Sequence, residues 1–266
     1  MHRHVYLLSW MWLLLIISSM PAHAGIIAII IDDIGYNYSA GQKSAALHPS
    51  ITLSVLPATP FARKLTNDLS LRGHELMLHI PMQAQLTKAP KEPVVLTENM
   101  HELEYKAQIE AYLHEFPEVS GVNNHMGSLL TQKPKQMEWL MEVLSAQGFL
   151  YFVDSRTHKK TVAERIASKF TINNARRDVF LDHGKNRIKS DWVWSQVRKL
   201  EHKAERNGFA LAIGHPHPKT LAVLQKALPW LEAQGHTIVP ISRYIQLKGS
   251  LQCPECSSPS LKVVKN

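Results

Sequence analysis

The feature that most constrains this chain is an alternation, repeated about seven or eight times, between short runs of branched and aromatic residues and longer polar stretches with helical spacing. Ile26 to Ile31, Ile51 to Leu56, Glu75 to Ile80, Val119 to Asn123, Phe149 to Val153, Val179 to Leu181, Phe209 to Ile213 and Thr237 to Val239 read as strands. Pro60 to Leu71, Glu102 to Phe116, Lys135 to Gln147, Asp191 to Asn207 and Lys219 to Gln234 read as helices between them. Gly73, Gly148, Gly208 and Gly235 each stand between a helix and the next strand, where a left-handed cap is expected. Crossover helices make consecutive strands run the same way, so the pattern predicts a parallel sheet. The strands are apolar throughout rather than alternating, as when both faces of a sheet are covered. A closed barrel and an open doubly wound sheet both satisfy this. Polar residues at the C-terminal ends of many strands favour an α/β fold of the (β/α) barrel type, with about seven strands, because an open sheet gathers its site at one switch point.

Composition bounds the rest. The chain has 266 residues, 45% hydrophobic and 20% charged, which excludes disordered, collagen-like and coiled-coil classes. Its two cysteines are too few for a disulfide scaffold or a four-cysteine zinc module. Arg3, the apolar run Val5 to Ile17 and then Pro21-Ala22-His23-Ala24 read as a cleaved secretory signal covering residues 1–24. The run of about 13 residues is short of the roughly 20 that span a bilayer as a helix. No later stretch is apolar for long enough to span, so a soluble, periplasmic mature protein is expected. Residues 25–248 then form the barrel domain. Residues 249–266, rich in Ser, Pro and Lys, read as a tail in which Cys253 and Cys256 suit a small disulfide loop better than a redox pair.

Without Arg3 the chain keeps 29 bases against 22 acids, a net charge of +7. The bases are scattered and no aromatic residues interleave with them, which argues against a nucleic-acid face. An anionic polymer or surface remains a candidate partner beside plain solubility. The segment Gln83 to Thr97 has two prolines and no periodicity, the mark of a long functional or mobile loop.

In a barrel the strand ends share one mouth. They carry Asp32-Asp33, His79, Asn123-Asn124-His125-Met126-Gly127-Ser128, Asp154-Ser155-Arg156, Asp182-His183 and His215-Pro216-His217. Carboxylates and imidazoles from so many strands suit a divalent metal, zinc above all. Two adjacent acids after six apolar residues are costly to bury without a cation, although Gly35 also allows a solvated turn. His79 alone reads equally as a core or rim histidine. His125 is the better ligand candidate because Asn124 and Ser128 offer hydrogen bonds to fix its tautomer, though the same run is also good turn chemistry. Asp154 can orient a histidine, hold an arginine or pair with Arg156. Of the two late histidines, His215 lies nearer the strand. The remaining histidines, His183 and His236 among them, read as solvated. No GxGxxG, GxxxxGK[ST] or GxSxG sequence occurs, so nucleotide binding and serine hydrolysis lack support.

Ile29-Ile30-Ile31-Asp32-Asp33-Ile34-Gly35 resembles the first motif of polysaccharide deacetylases of the NodB-like superfamily, and Gly73-His74-Glu75 through His79 resembles the opening of their second. His79-Ile80-Pro81-Met82, the Gly121 to Ser128 run, Phe152-Val153-Asp154-Ser155-Arg156-Thr157 and Ile213-Gly214-His215-Pro216-His217 resemble the divergent branch of that family. The likeness covers about residues 25 to 245. It implies a metal-dependent hydrolase barrel in which Asp32 is the general base, Asp33 and His79 hold the metal, and His215 is the general acid. Ordinary members carry a further histidine where this chain has Gln83, and they carry an arginine motif that this chain lacks. His125 is expected to take the missing ligand position. The implied activity is deacetylation of an N-acetylated saccharide such as peptidoglycan. The competing reading is a barrel that only binds envelope glycan or a protein partner, and a phosphate or amide hydrolase is a third.

Overall fold

The computed structural model describes residues 24–85, 92–184 and 189–252. The N-terminal apolar run and the Cys253–Cys256 segment lie outside them. Among the described residues the strands are β1 (Ile26–Ile34), β2 (Thr52–Val55), β3 (Leu76–Met82), β4 (Gly121–Met126), β5 (Tyr151–Asp154), β6 (Asn174–Arg176), β7 (Val179–Phe180), β8 (Phe209–Gly214) and β9 (Thr237–Ile238). The helices are α1 (Tyr38–Ala45), α2 (Ala62–Ser70), α3 (Glu102–Glu115), α4 (Pro134–Gln147), α5 (Ala163–Lys169), α6 (Ser190–Asn207), α7 (Pro218–Ala233) and α8 (Ile241–Gln252). No helix among them is long and apolar enough to cross a membrane.

Every strand pairing is parallel, in the order β6-β5-β4-β3-β2-β1-β8-β7, with β9 added beside β1. The sheet curls into a (β/α) barrel whose circuit holds eight strands rather than about seven. The extra strand is β6, which its sequence hides because only Ala175 of its three residues is buried. β6 and β7 stand at the two ends of the order with no ladder between them. Two residues bridge that seam: Arg177 N donates to Asp154 O at 3.0 Å, and Asp178 N to Leu211 O at 2.8 Å.

Alternation along the strands sorts side chains between two cores. Ile27, Ile29 and Ile31 of β1 join the layer under the helices, while Ala28 and Ile30 fill the barrel interior with Leu211, Ile213 and Val153. Both sets are apolar, which is why the strands do not read as amphipathic. Truncating a core isoleucine such as Ile29 or Ile30 to alanine costs about 2–5 kcal/mol. Gly148 and Gly208 end α4 and α6 at φ 75° and 74°, as expected.

Three helices escape sequence periodicity. α1 is rich in small residues, and a Cβ at Gly41 would meet Leu65 of α2 at 2.8 Å. It is started instead by Asn37, whose side chain accepts from Ala40 N at 2.9 Å. α5 is only seven residues long. α8 continues through Gly249, so the compositional boundary there falls inside a helix. Its Ile241, Tyr244 and Ile245 close the bottom of the barrel interior. His236 is not solvated: it is 5% exposed, and its Nδ1 accepts from Gly25 N at 3.1 Å.

Candidate metal and acid–base site

The strand ends expected to converge do so. β1 carries a register shift between Ile31 and Ile34, and Asp33 adopts φ 58°, a left-handed conformation that costs a non-glycine residue strain. The irregularity lets two adjacent carboxylates serve one mouth. Asp32 is buried and Asp33 is partly open. On β4, Asn123 and His125 share the interior face, and register places Asn123 beside His79 of β3.

Asn123, rather than Asn124, is the amide that organises the centre. Its Oδ1 accepts from Ser54 Oγ at 2.7 Å and lies 2.6 Å from His79 Nδ1, while its Nδ2 donates to Asp32 Oδ1 at 2.9 Å. Flipping the amide would turn its oxygen onto the Asp32 carboxylate, so the orientation is determined. His79 therefore donates from Nδ1 and presents the lone pair of Nε2 to the mouth. His125 Nε2 lies 3.4 Å from Glu92 Oε1, which also accepts from Tyr36 Oη at 3.0 Å. The Glu92 carboxylate on that side favours the tautomer with the proton on Nε2, which leaves His125 the lone pair of Nδ1.

Three acceptor atoms thus face one another. Asp33 Oδ1 is 3.0 Å from His125 Nδ1 and 3.4 Å from His79 Nε2, and the two nitrogens are 3.3 Å apart. Lone pairs this close repel unless a cation lies between them. A tetrahedral ion with bonds of about 2.0–2.1 Å needs donors about 3.3 Å apart. The donor set and its spacing fit a divalent metal. Asp33 Oδ1, Glu92 Oε2 and His125 Nε2 are buried without an aligned hydrogen bond among the described residues, as expected at a centre built around a charge.

The opposite wall is a dyad. His215 Nδ1 lies 2.8 Å from Asp182 Oδ1, and Asp182 Oδ2 accepts from His215 N at 2.8 Å and Thr220 Oγ1 at 2.7 Å. Burial alone would depress the imidazole, but the Asp182 carboxylate outweighs it and lifts the pKa of His215 to about 9. Its Nε2 is 4.0 Å from Asp33 Oδ2. Burial pushes the Asp32 carboxyl up, against the opposing pull of His79 and His215. Burial acts likewise on Asp33, but the imidazoles of His125 and His79 beside it outweigh burial and hold that carboxyl well below its ordinary range.

The cavity between these walls has a volume of about 390 Å³. Asp32, His79, His125, His215, Asn124, Ser128 and Arg156 line it, and so does His183, an exposed side chain at its rim. A groove of about 530 Å³ between α1 and α7 has Lys43 as its one ionisable lining residue and holds no comparable cluster.

Other candidates have structural duties. Asp154 neither orients a histidine nor holds a guanidinium: it accepts from Arg156 N at 2.8 Å and Thr161 Oγ1 at 2.8 Å, bracing the turn in which Arg156 adopts φ 50°. Asn124 bonds Ser155 N and Met126 O, tying β4 to the loop after β5. Gln83 is turned away, its Oε1 accepting from Glu98 N at 2.9 Å. Ser128 Oγ accepts from Gln85 N. Sequence reasoning gave no role to Asn123, Glu92 or Asp182. The spacing of Asn123 two residues before His125 on a strand was a usable signal, and Asp182 was visible as a strand-end acid. Glu92 lies in an aperiodic loop and had none.

Residues 29–245 match a family model described as divergent polysaccharide deacetylase. The uncharacterized protein YibQ of Escherichia coli (strain K12) is 37% identical over 212 residues, which are 80% of this chain and 65% of that one. The chain therefore spans a little less than two thirds of that relative. Among solved structures, the uncharacterized protein ATU2773 of Agrobacterium tumefaciens C58 superposes with a TM-score of 0.74 at 22% identity, covering 83% of this chain and 89% of that one. The Bc1960 peptidoglycan N-acetylglucosamine deacetylase follows at 0.54 and 15%, covering 85% and 90%. BA3943 of Bacillus anthracis, a CE4 family pseudoenzyme, gives 0.52 and 11%, covering 84% and 66%. At these identities the likeness to the solved structures is one of fold.

Proposed function

The chain belongs to the divergent polysaccharide deacetylase family, and from that membership and the geometry of its barrel mouth we propose that it is a metal-dependent hydrolase removing acetyl groups from an N-acetylated saccharide, with cell-wall glycan as the substrate class. The observation that carries this reading is the triangle of acceptor atoms on Asp33, His79 and His125, with edges of 3.0, 3.4 and 3.3 Å, facing a protonated His215.

A divalent ion, zinc by the chemistry of the donors, supplies Lewis acidity that makes water a stronger acid and the acyl carbonyl a better electrophile. The chain's own residues supply the rest. Asp32, its basicity raised by burial, takes the proton of the attacking water. Asn123 holds that carboxylate and His79 in fixed relation through its Nδ2 and Oδ1. His215 gives a proton from Nε2 to the departing nitrogen, while Asp182 keeps Nδ1 protonated and the ring oriented. Asn124 and Asp154 hold the rim loops and touch no reacting atom.

We place this activity in the periplasm after cleavage of the signal behind Ala24, a reading supported by the sequence of the first residues; N-terminal sequencing of protein recovered from the periplasm tests it. The activity is tested by acetate release from chitin or peptidoglycan fragments by zinc-loaded protein beside Asp32→Asn. Loss of the base is expected to cost about 10²- to 10⁴-fold, with metal retained. Metal retained and glycan bound by both proteins, with no acetate from either, would establish the binding-barrel reading instead.

A further inference from the structure

The acids of the mouth are gathered at the cation centre, and the rest of the cavity is basic. Arg177 stands on the two-residue bridge over the barrel seam. Its Nε donates to Ser155 O at 2.7 Å, one Nη donates to Arg156 O at 2.9 Å, and the guanidinium lies 3.5 Å over the Phe180 ring. His183 stacks on the same ring, centroids 5.1 Å apart. Arg156 is exposed at the rim of the same cavity, on a turn that Asp154 braces. Neither arginine has an ion-pair partner among the described residues, whereas Arg63 and Arg176 each pair with a glutamate.

Two guanidinium groups turned to one cavity, one of them half-buried and held in place by two backbone carbonyls, favour an anion between them. The pKa of Arg177 is brought down to about 10 by burial first and by the nearness of Arg156 second. The planar fork of a guanidinium matches the two oxygens of a carboxylate.

We infer that the substrate of this cavity carries a carboxylate of its own, an acidic N-acylated sugar whose charge rests on Arg156 and Arg177 while its acyl group faces Asp33, His79 and His125. The inference rests on the deacetylase reading for the acyl end alone. Lys133 and Lys169, which have glutamate partners, are not part of it.

The test compares N-acetylglucosamine with N-acetylmuramic acid, the same ring carrying a lactyl carboxylate, and with free D-lactate, by NMR titration of the zinc-loaded protein. N-acetylmuramic acid is expected to bind about tenfold more tightly than the neutral sugar and more tightly than lactate, with a preference that shrinks as salt is added. Arg156→Gln should bring the ratio of the two sugars toward one. Arg177→Lys, which keeps the charge and loses the fork, should lower it as well. Equal binding of both sugars by the wild type, lactate binding as tightly as the acidic sugar, or a ratio untouched by Arg156→Gln would overturn the inference. A preference that vanishes when the metal is stripped would also overturn it, since the carboxylate would then be resting on the ion. A preference for the acidic sugar without acetate release would sustain this inference while the deacetylase reading failed.

Discussion

The two ends of the barrel both carry a carboxylate surrounded by partners, and they treat it in opposite ways. At the bottom, Glu75 accepts from Thr52 Oγ1 and Tyr151 Oη, each at 3.0 Å, from Ser242 N, and from Ser242 Oγ. Every partner there is a hydroxyl or a backbone N–H, so the acid is satisfied and pins the start of α8 beneath the sheet. At the top, Asp33 meets two imidazole nitrogens whose other ring atoms already face Asn123 and Glu92, and its Oδ1 has no aligned donor. A carboxylate supplied with donors is structural; a carboxylate supplied with acceptors awaits a cation. At the top, Asp33, Met126 and Arg156 also adopt positive φ near the C-terminal ends of their strands.

That contrast can be broken by substitution, most severely at the top. His125→Ala removes one of three donors, and zinc content by mass spectrometry should fall to background while acetate release drops by about 10³-fold or more. Retention of full zinc would mean that the three acceptors do not share an ion. Glu92→Gln leaves the donors in place but weakens what orients His125, so zinc affinity by competition with a chelator should fall about 10- to 100-fold. Unchanged affinity would return Glu92 to a role in loop packing.

Asp182→Asn acts on the acid rather than the metal. His215 must be protonated to donate, so wild-type activity should fall as pH rises through about 9, and the variant's alkaline limb should move to lower pH because burial is no longer opposed. The same pair adds stability that is fully present below the ordinary histidine pKa of about 6.5 and is lost as pH rises through about 9. An alkaline limb that stays where it was would remove His215 from the proton path. The smallest effect is expected at the bottom, where Glu75→Gln weakens a satisfied acid and should cost about 1 kcal/mol in denaturant unfolding, with zinc affinity unaltered. A change in zinc affinity there would erase the distinction between the two ends.

Much of this was legible in the chain itself, and the limits are specific. Asp32, Asp33, His79, His125 and His215 stood at the ends of recognisable strands, and parallel topology alone sends such ends to one side. Asn123 was passed over for Asn124 because strand parity cannot be applied until the strand's extent is known, and β4 runs to Met126 rather than stopping at Asn123. β6 was missed because three mostly polar residues at a barrel seam carry no hydrophobic signature. Asp154 looked by position like a residue that orients a histidine or holds an arginine, yet its oxygens are consumed by Arg156 N and Thr161 Oγ1.

The order of residues by itself determined the repeating strand and helix units, the parallel sheet and the identity of the acids and imidazoles at its upper rim, because periodicity and strand polarity are local properties. Only the tertiary structure decided which lone pairs meet. That depends on a register shift in β1, on a loop that brings Glu92 to His125, and on an amide whose orientation is set by three strands at once. Hydrogen-bond partners distant in the chain leave no trace in its local pattern, so the charge each group holds is a property of the folded barrel.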